Sequence, residues 1–551
     1  MISIHPPPPK PTRWEASAAV GMRRSGWPPA MVPRPVAAVV AMVVAAAAVV
    51  TVTAPHSAAA DTTFFDATAA SGIPTTRQLS YGGPVVAPLA NSLGPYDLIL
   101  PNHDSQLVWY YTNDGTGSFT RGPNLLPSLE DVHGLAVGDA DLDGLPEVLL
   151  TRGGANGELP AAVELLSLRG GSFLNVTTPA GLRSPRRRGR APRFTDVNGD
   201  GTPDVLVINF KGTTLGGDPV LDGGNLQLAF ANGVGGRHTP VADAAGLGDL
   251  PVERVLVTDL DGDGLPELIM FPFFRIYTAA GGGEVRFVEE PRWLNRIGRG
   301  KVAPAFAVAA LDYDNDGWTD LYIARGDQPD MLLRNDGAGR FIDVSVLSGI
   351  PQGGDNQGVT VGDLDNDGWE DIFVVRHEAP REPDYILWNN GGDGTFTVST
   401  THGATTTPDN GRGDNAIAAD LTGDGALDLV VANGDFTFAA LAGSWSLYRN
   451  ARTGGAATNH FLGVRVGRSP STNACNMGAT VTIVDGAGRL QRRRIGTSGS
   501  TFSASLLNVA HFGLGASPVD VRLVAVRWPG GELFTATGVA VDQVLTYADT
   551  G

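Results

Sequence analysis

Six stretches of this chain place oxygen-bearing side chains at positions 1, 3, 5 and 9 of a nine-residue frame. They are Asp139, Asp141, Asp143 and Glu147; Asp196, Asn198, Asp200 and Asp204; Asp259, Asp261, Asp263 and Glu267; Asp312, Asp314, Asp316 and Asp320; Asp363, Asp365, Asp367 and Asp371; and Asp420, Thr422, Asp424 and Asp428. Each frame has glycine at position 6. Alternate acids on so tight a loop all point inward once a glycine permits the turn, and a hard cation such as Ca²⁺ takes roughly six to eight oxygens. A backbone carbonyl near position 7 and the acid at position 9 would complete the shell. An EF-hand would need a glutamate at position 12 between two helices. Here position 12 is Leu150, Val207, Met270, Ile323, Val374 or Val431, each inside a β-type apolar run. The pattern therefore predicts a calcium loop between two strands, six times over. The Asp420 loop should be the weakest, because Thr422 replaces a carboxylate or amide. An earlier, degraded copy keeps Gly94 and Asp97 but has Leu89, Asn91 and Leu93 for the first three acids, and should hold no ion.

The elements that must position these loops repeat with them. The six frames start 57, 63, 53, 51 and 57 residues apart. A short apolar segment precedes each loop ("HGLAVG", "ERVLVT", "FAVAAL") and a strand-like run follows. A third apolar run often ends in Asn ("MLLRN", "YILWNN", "WSLYRN"), and a fourth begins at Phe ("FLNVT", "FIDVS"). Four strands per unit, repeated seven times, predict an all-β fold: a seven-bladed β-propeller with calcium loops over 61–450, which closes radially and leaves few open edges. After "WSLYRN" no fourth strand follows, whereas a spare copy, "FFDATAASGI", stands before the first repeat. Phe64 to Ala67 is therefore expected to pair with Trp445 to Tyr448 and finish the last blade.

These units resemble FG-GAP (VCBS) repeats, the calcium-loop blades of integrin α-chain propellers, from about Phe64 to Asn450. After a linker at 451–458, residues 459–551 resemble the ASPIC/UnbV domain through Gly478-Ala479, His511-Phe512-Gly513-Leu514-Gly515 and Trp528-Pro529-Gly530-Gly531. Alternating apolar residues such as Val481 and Ile483 suit a small β-rich module. The pairing is similar to the cartilage acidic protein family and its bacterial relatives. That resemblance implies an exported, calcium-binding interaction or adhesion module without catalytic activity.

Composition and charge bound the remaining readings. The 551 residues exceed one ordinary core, and Gly 73 and Pro 38 favour turns and short elements. The single cysteine, Cys475, excludes an intrachain disulfide and reads as an inert buried thiol. Lys10, Arg13, Arg23, Arg24 and Arg34 precede an apolar stretch and then "APHSAAA", so residues 1–60 read as a signal peptide cleaved before Asp61, or as a single-span anchor over Val36 to Ala54. The net charge is −18; without residues 1–60 it is −22, and six Ca²⁺ would leave −10. No H-E-x-x-H, G-x-S-x-G, Walker or dinucleotide motif occurs. His511 reads as a residue that fixes a turn. The basic run Arg183 to Arg193 reads as a solvated loop, or more sharply as a patch for an anionic glycan. Two RGD tripeptides occur, Arg325-Gly326-Asp327 and Arg412-Gly413-Asp414. The expected partner is an extracellular protein or glycan, with no nucleic acid, no membrane span in the mature form unless the leader stays, and a monomeric chain. The alternative function is a calcium-dependent, lyase-like enzyme or binder acting on acidic polysaccharide.

Overall fold

The computed structural model describes residues 62–551 apart from 77–79, 81, 103–106, 128–130, 154–160, 185, 210–227, 234–235, 242–245, 248–251, 281–284, 378–382, 406–412, 435–442, 497–498, 500–501, 518–519 and 548–551. The expected leader or anchor at 1–60 and Arg412 of the second RGD tripeptide lie outside the described residues.

Burial along one repeat explains its residue types. Val132–Gly138 is buried throughout and Glu147–Arg152 almost so. Glu164–Arg169 hides only its middle, and Ser172–Asn175 is largely exposed. The four strands form an antiparallel meander, with Leu135 opposite Leu150 and Leu149 opposite Leu165. Strands covered on both faces must be apolar without alternation, while an outer strand is apolar only where it meets a neighbour. The apolar first and second runs and the Phe-led fourth run thus mark inner and outer positions.

Seven four-stranded sheets are built in this way among the described residues. Their first strands are Val85–Ala87, Val132–Gly138, Gly189–Thr195, Arg254–Thr258, Ala307–Leu311, Asn356–Gly362 and Gly413–Ala419. Each first strand packs beside the next, and Gly413–Ala419 packs beside Val85–Ala87, so the inner strands close a ring. The crowding is tightest at Gly134, where a Cβ would strike the carbonyl of Arg190, and at Gly358, where it would meet the carbonyl of Asp414 at 2.6 Å. The last sheet takes its fourth strand from the other end of the propeller. Phe64–Asp66 pairs antiparallel with Trp445–Asn450, Phe64 opposite Asn450 and Asp66 opposite Tyr448. The expected strand exchange occurs, with its register displaced toward Asn450.

Two sequence expectations are corrected here. The basic run is a solvated loop only in its first part, where Arg183 and Arg186 are exposed; Gly189–Thr195 is an inner strand and Arg188, Arg190 and Arg193 are all buried. Arg193 donates from Nη2 to the Val255 carbonyl at 3.0 Å, and burial pushes its pKa down to about 9. His511 lies within a strand, Val509–Gly515, so its own segment makes no turn. Cys475 is buried, as expected, and burial raises its pKa.

The C-terminal residues form two further sheets. One orders Leu490–Arg494, Thr480–Asp485, Val521–Arg527 and Leu533–Val539. The other sets His460–Val466 between Val509–Gly515 and, in parallel, Gln543–Tyr547. Val464, Val481, Ile483, Phe512, Val524 and Trp528 share their core. This module also packs a segment against the inner strands of the ring. Ser503 N–H donates to the Gly82 carbonyl at 3.1 Å, Ala504 N–H to Leu135 at 2.7 Å and Leu506 N–H to Val86 at 3.0 Å, and Ser505 Oγ accepts Val86 N–H at 2.9 Å.

Candidate functional site

Every acidic frame joins a first strand to a second, so the loops share one geometry. The position 1 carboxylate folds the loop around itself. Asp139 accepts from Asp143 N–H at 3.0 Å and Gly144 N–H at 2.9 Å, and Asp363 from Asp367 N–H at 3.0 Å and Gly368 N–H at 2.7 Å. Asp196, Asp259, Asp312 and Asp420 accept from Gly201, Gly264, Gly317 and Gly425 in the same manner, at 2.7, 3.0, 3.0 and 3.0 Å. The position 5 carboxylate accepts the N–H of position 7, as Asp143 does from Leu145 and Asp367 from Trp369.

Position 4 is a requirement that sequence reading missed. Its backbone is left-handed in all six loops: Gly199, Gly262 and Gly423, but also Leu142 (φ 58°), Asn315 (φ 52°) and Asn366 (φ 61°). Gly or Asn suits that conformation and Leu does not. The signal was present in the recurring Gly or Asn one residue before the third acid.

Position 9 has a second task beyond offering oxygen. Asp371 accepts Leu364 N–H at 3.0 Å and Asn389 N–H at 2.9 Å; Asp204, Asp320 and Asp428 do the same with Asn232, Asn335 and Asn450. Each of these asparagines then reaches the preceding repeat. Asn389 Nδ2 donates to the Tyr313 carbonyl at 2.8 Å, Asn335 to Leu260 at 2.8 Å and Asn450 to Leu364 at 2.8 Å. In these four loops the Asn near the end of the third strand thus ties the loop to its neighbour; the Asp139 and Asp259 loops, whose third strands Glu164–Arg169 and Arg275–Ala279 carry no Asn, do not share the tie. The degraded loop keeps the tie: Asp97 accepts Ala90 N–H at 3.1 Å and Asn113 N–H at 3.0 Å.

Four loops gather three carboxylates whose oxygens lie within 4.8 Å of one another: Asp139, Asp141 and Glu147; Asp259, Asp261 and Asp263; Asp312, Asp314 and Asp316; and Asp363, Asp365 and Asp371. These groups could hold a metal ion. Within the same loops Asp143 is turned to Arg169 at 2.6 Å, while Glu267, Asp320 and Asp367 fall outside the tight groups. Asp196, Asp200 and Asp204, with Asn198, and Asp420, Asp424 and Asp428, with Thr422, form no such carboxylate trio among the described residues. Asn198 Nδ2 donates to Asp200 at 3.0 Å and Thr422 Oγ1 lies 3.5 Å from Asp420.

The donor set fits a hard cation on two observations. Asp312 Oδ1 and Glu267 Oε1 are buried without a hydrogen-bond partner, an expensive arrangement unless a positive charge faces them. Burial, with repulsion from the neighbouring acids, also pushes Glu267 up to about 9, Glu147 and Asp428 to about 8 and Asp139 to about 7. A bound cation would reverse that crowding.

The C-terminal module is seated on this ring of loops. Arg489 Nη1 donates to the Asp367 carbonyl at 2.8 Å, Gly515 N–H to Asn366 at 2.8 Å and Cys475 N–H to Gly201 at 2.7 Å. His511 Nε2 lies 3.1 Å from the Gly425 carbonyl, and Arg468 and Arg465 reach the carbonyls of Leu142 and Gly94. The accepting carbonyls among these, in the Asp139, Asp196, Asp363 and Asp420 loops, sit at positions 4 to 6. The sequence signal was "RLQRRR", Arg489 to Arg494, in an acidic chain.

Comparison with known proteins agrees with this architecture. Residues 94–150, 312–374 and 364–431 match the FG-GAP-like repeat, and residues 468–550 match the family described as ASPIC and UnbV. Fold, loops and matches together define a β-propeller protein that carries FG-GAP repeats and an ASPIC/UnbV domain. Among curated proteins it is similar to cartilage acidic protein 1. The mouse (Mus musculus) protein is 29% identical over 309 residues, 49% of this chain and 45% of that one. The Xenopus tropicalis protein is 22% identical over 499 residues, 76% of this chain and 73% of that one. The match to the mouse protein thus spans under half of that relative's length. Two solved structures share parts of the fold: an Agrocybe aegerita lectin specific for non-reducing terminal N-acetylglucosamine (17% identity, TM-score 0.40, 72% of this chain and 96% of that one) and the exotype rhamnogalacturonan lyase YesX (14% identity, TM-score 0.34, 86% and 92%).

Proposed function

We propose that this chain is an exported calcium-binding propeller that acts as an extracellular interaction module and has no turnover of its own. In this reading residues 1–60 are a leader, 61–450 the propeller and 459–551 a module that seals its loop face, and Ca²⁺ occupies the six acidic loops. Bound there, calcium would supply positive charge to the inward carboxylates. The chain's own residues position them: the loop glycines by permitting the turn, and Asp204, Asp320, Asp371 and Asp428 at position 9 by holding their loops to a third-strand asparagine. The observation that carries the reading is the pair of donorless buried oxygens, Asp312 Oδ1 and Glu267 Oε1, inside loops that repeat one acidic frame. The partner is an extracellular protein or glycan. With the module seated on the loop face, that partner meets other parts of the propeller or the module's outer strands. Among the described residues no helix is long and apolar enough to cross a membrane. The lectin and lyase likenesses, at their scores, favour neither a glycan partner nor catalysis.

The test is a binding screen of the exported form against glycan and surface-protein arrays, with millimolar calcium and with EDTA. A saturable, calcium-dependent partner is expected. Release of unsaturated products from an acidic polysaccharide, abolished by one substitution outside the loops, would establish the enzyme instead.

A further inference from the structure

We propose that the basic segment 291–302, which joins the fourth sheet of the ring to the fifth, forms with Phe273 a docking surface for an acidic polysaccharide whose sugars carry carboxylates. The inference rests on the reading of the chain as an exported interaction module, and it names one class of partner for that module.

The repeat itself does not require this segment. After the fourth strands of other sheets the chain continues with "ASGI", "PAGL" or "LSGI", residues 70–73, 179–182 and 347–350, of which Ile73, Leu182 and Ile350 are buried. Here it reads "PRWLNRIGRGKV". Trp293, Leu294 and Val302 take the buried places, in a core shared with Phe271, Phe274 and Phe341. Backbone bonds from Asn295 N–H to Arg292 at 3.2 Å, Gly298 N–H to Leu294 at 2.7 Å and Lys301 N–H to Gly298 at 2.9 Å draw the segment into two consecutive turns. The cations between these anchors are thus carried on a fixed backbone, which lowers the cost of ordering them on binding.

Arg292, Arg296, Arg299 and Lys301 are all exposed. Arg275 stands beside them, because Glu289 is shared between Arg275 at 3.2 Å and Arg299 at 3.1 Å. Arg292 lies 3.8 Å from Glu290 and 3.5 Å from Asp261, an acid of the third calcium frame. Neither Arg296 nor Lys301 has an acidic partner among the described residues. Five cations therefore meet three paired acids, one of which also belongs to a loop that would claim it for calcium. In a chain of net charge −18, such a surface attracts an anionic partner that the rest of the molecule repels.

Phe273 supplies the second feature. Pro272 accepts Ala305 N–H at 3.2 Å, which sets the turn 272–274 against the end of the basic segment. Phe274 is buried at φ 50°, a left-handed backbone that is unusual for a bulky residue and persists only where the surroundings impose it. The turn sends the Phe274 ring into the core and leaves Phe273 49% exposed. An exposed ring beside arginines suits a uronate chain: the ring covers the apolar face of a sugar, and a guanidinium takes a carboxylate through two parallel hydrogen bonds. An anionic membrane would offer charge as well, but that charge lies on the cytoplasmic leaflet, which an exported protein does not meet.

The test is calorimetric titration of the full exported chain, loaded with calcium, with hexagalacturonate. Saturable binding is expected, weakened by added salt and lost by about tenfold or more when Arg296→Glu is combined with Lys301→Glu. Phe273→Ser should weaken it severalfold. The fully methyl-esterified hexamer should not bind, and hexaglutamate, which has the charge without the sugar rings, should bind more weakly than hexagalacturonate. Should the double substitution fail to fold, hydrogen exchange of the wild-type chain locates the bound hexamer, with slowing expected at 272–275 and 291–302. No saturable binding below about 10 mM, slowing only at other segments, or hexaglutamate and anionic vesicles binding as tightly as the hexamer overturns the proposal. Failure of the hexamer while the arrays yield another calcium-dependent partner defeats this inference alone, whereas absence of any partner defeats the functional reading as well.

Discussion

Arg492 donates from Nη1 to the Gly317 carbonyl at 3.1 Å, while Gly317 donates its own N–H to Asp312 Oδ2 at 3.0 Å. One loop residue therefore touches the module through its carbonyl and the inward carboxylate through its N–H. Arg489 stands in the same relation to the Asp363 loop through the Asp367 carbonyl.

A cation that orders the loops should then hold the module more firmly, and the module should raise calcium affinity by the same factor, since linkage is reciprocal. Hydrogen exchange is expected to quicken at 489–494 and 502–515 when calcium is removed with EDTA. Arg489→Ala combined with Arg492→Ala should weaken calcium binding severalfold. Equal exchange with and without calcium would show that docking and loading are independent.

Leu142 sits at φ 58°, in a conformation that five equivalent positions fill with Gly or Asn. Left-handed backbone costs a residue with a Cβ roughly 1 to 2 kcal/mol, and glycine removes most of it. Leu142→Gly should stabilise the calcium-loaded protein by about 0.5 to 1 kcal/mol in urea unfolding. Its outcome is informative because Leu142 also packs against the core of the second repeat, so a loss of stability would show that this contact outweighs the strain.

The loops and the sheets were legible in sequence because both depend on short-range chemistry. Acid spacing with glycine reports loop geometry, and uninterrupted apolar runs report inner strands. Arg190 and Arg193 were misread because charge normally marks solvent; here each guanidinium finds carbonyls, Gly153 for Arg190 and Val255 for Arg193. The seating of the module left only one mark in the sequence, the basic run Arg489 to Arg494 in an acidic chain. Its contacts join residues such as Arg492 and Gly317, far apart in the chain, through backbone carbonyls, and any residue type supplies a carbonyl. The tie from Asn389 to Tyr313 was half visible: the Asn recurs, but its acceptor carries no sequence mark.

Calcium should raise thermal stability, since it binds folded loops and not the unfolded chain. At a hundredfold excess over Kd the gain is about 2.7 kcal/mol per site, and six ions are expected by mass spectrometry, the Asp420 loop losing its ion first. Identical melting temperatures in excess EDTA and in millimolar calcium would refute calcium loading.

His402 donates from Nε2 to the Asp384 carbonyl at 3.1 Å and accepts Ala404 N–H at Nδ1, 3.2 Å, so the folded state holds it neutral. Burial pushes its pKa from 6.5 down to about 4. The folded value is depressed, so the unfolded chain binds the extra proton. This contribution to stability is complete above about pH 6.5 and is lost as pH falls toward 4, amounting to roughly 3 kcal/mol. His402→Gln, which does not titrate, should flatten that part of the stability profile measured by denaturant unfolding. An unchanged slope between pH 6.5 and 4 would show that other groups govern it.

The ring is held shut by its first strand. Phe64 is 4% exposed and packs with Phe373, Trp388 and Tyr448, side chains from the sixth and seventh sheets. Around it the backbone is bonded on both sides: Phe64 N–H donates to the His402 carbonyl at 2.7 Å, Ala67 N–H to Leu447 at 2.9 Å and Ala451 N–H to Thr63 at 2.8 Å. Thr68 Oγ1 adds an acceptor for Leu447 N–H at 2.9 Å. Removing the ring of Phe64 leaves a cavity between two sheets, and Phe64→Ala should cost about 3 to 5 kcal/mol. Deleting residues 62–67 should cost more, because it also strips the partners from the Trp445–Asn450 strand and exposes an edge able to pair with a second chain. Unfolding in urea and size-exclusion chromatography read the two effects separately: a lowered midpoint for the substitution, and a lowered midpoint with concentration-dependent association for the deletion. A deletion variant that keeps the wild-type midpoint would show that the seventh sheet stands on three strands.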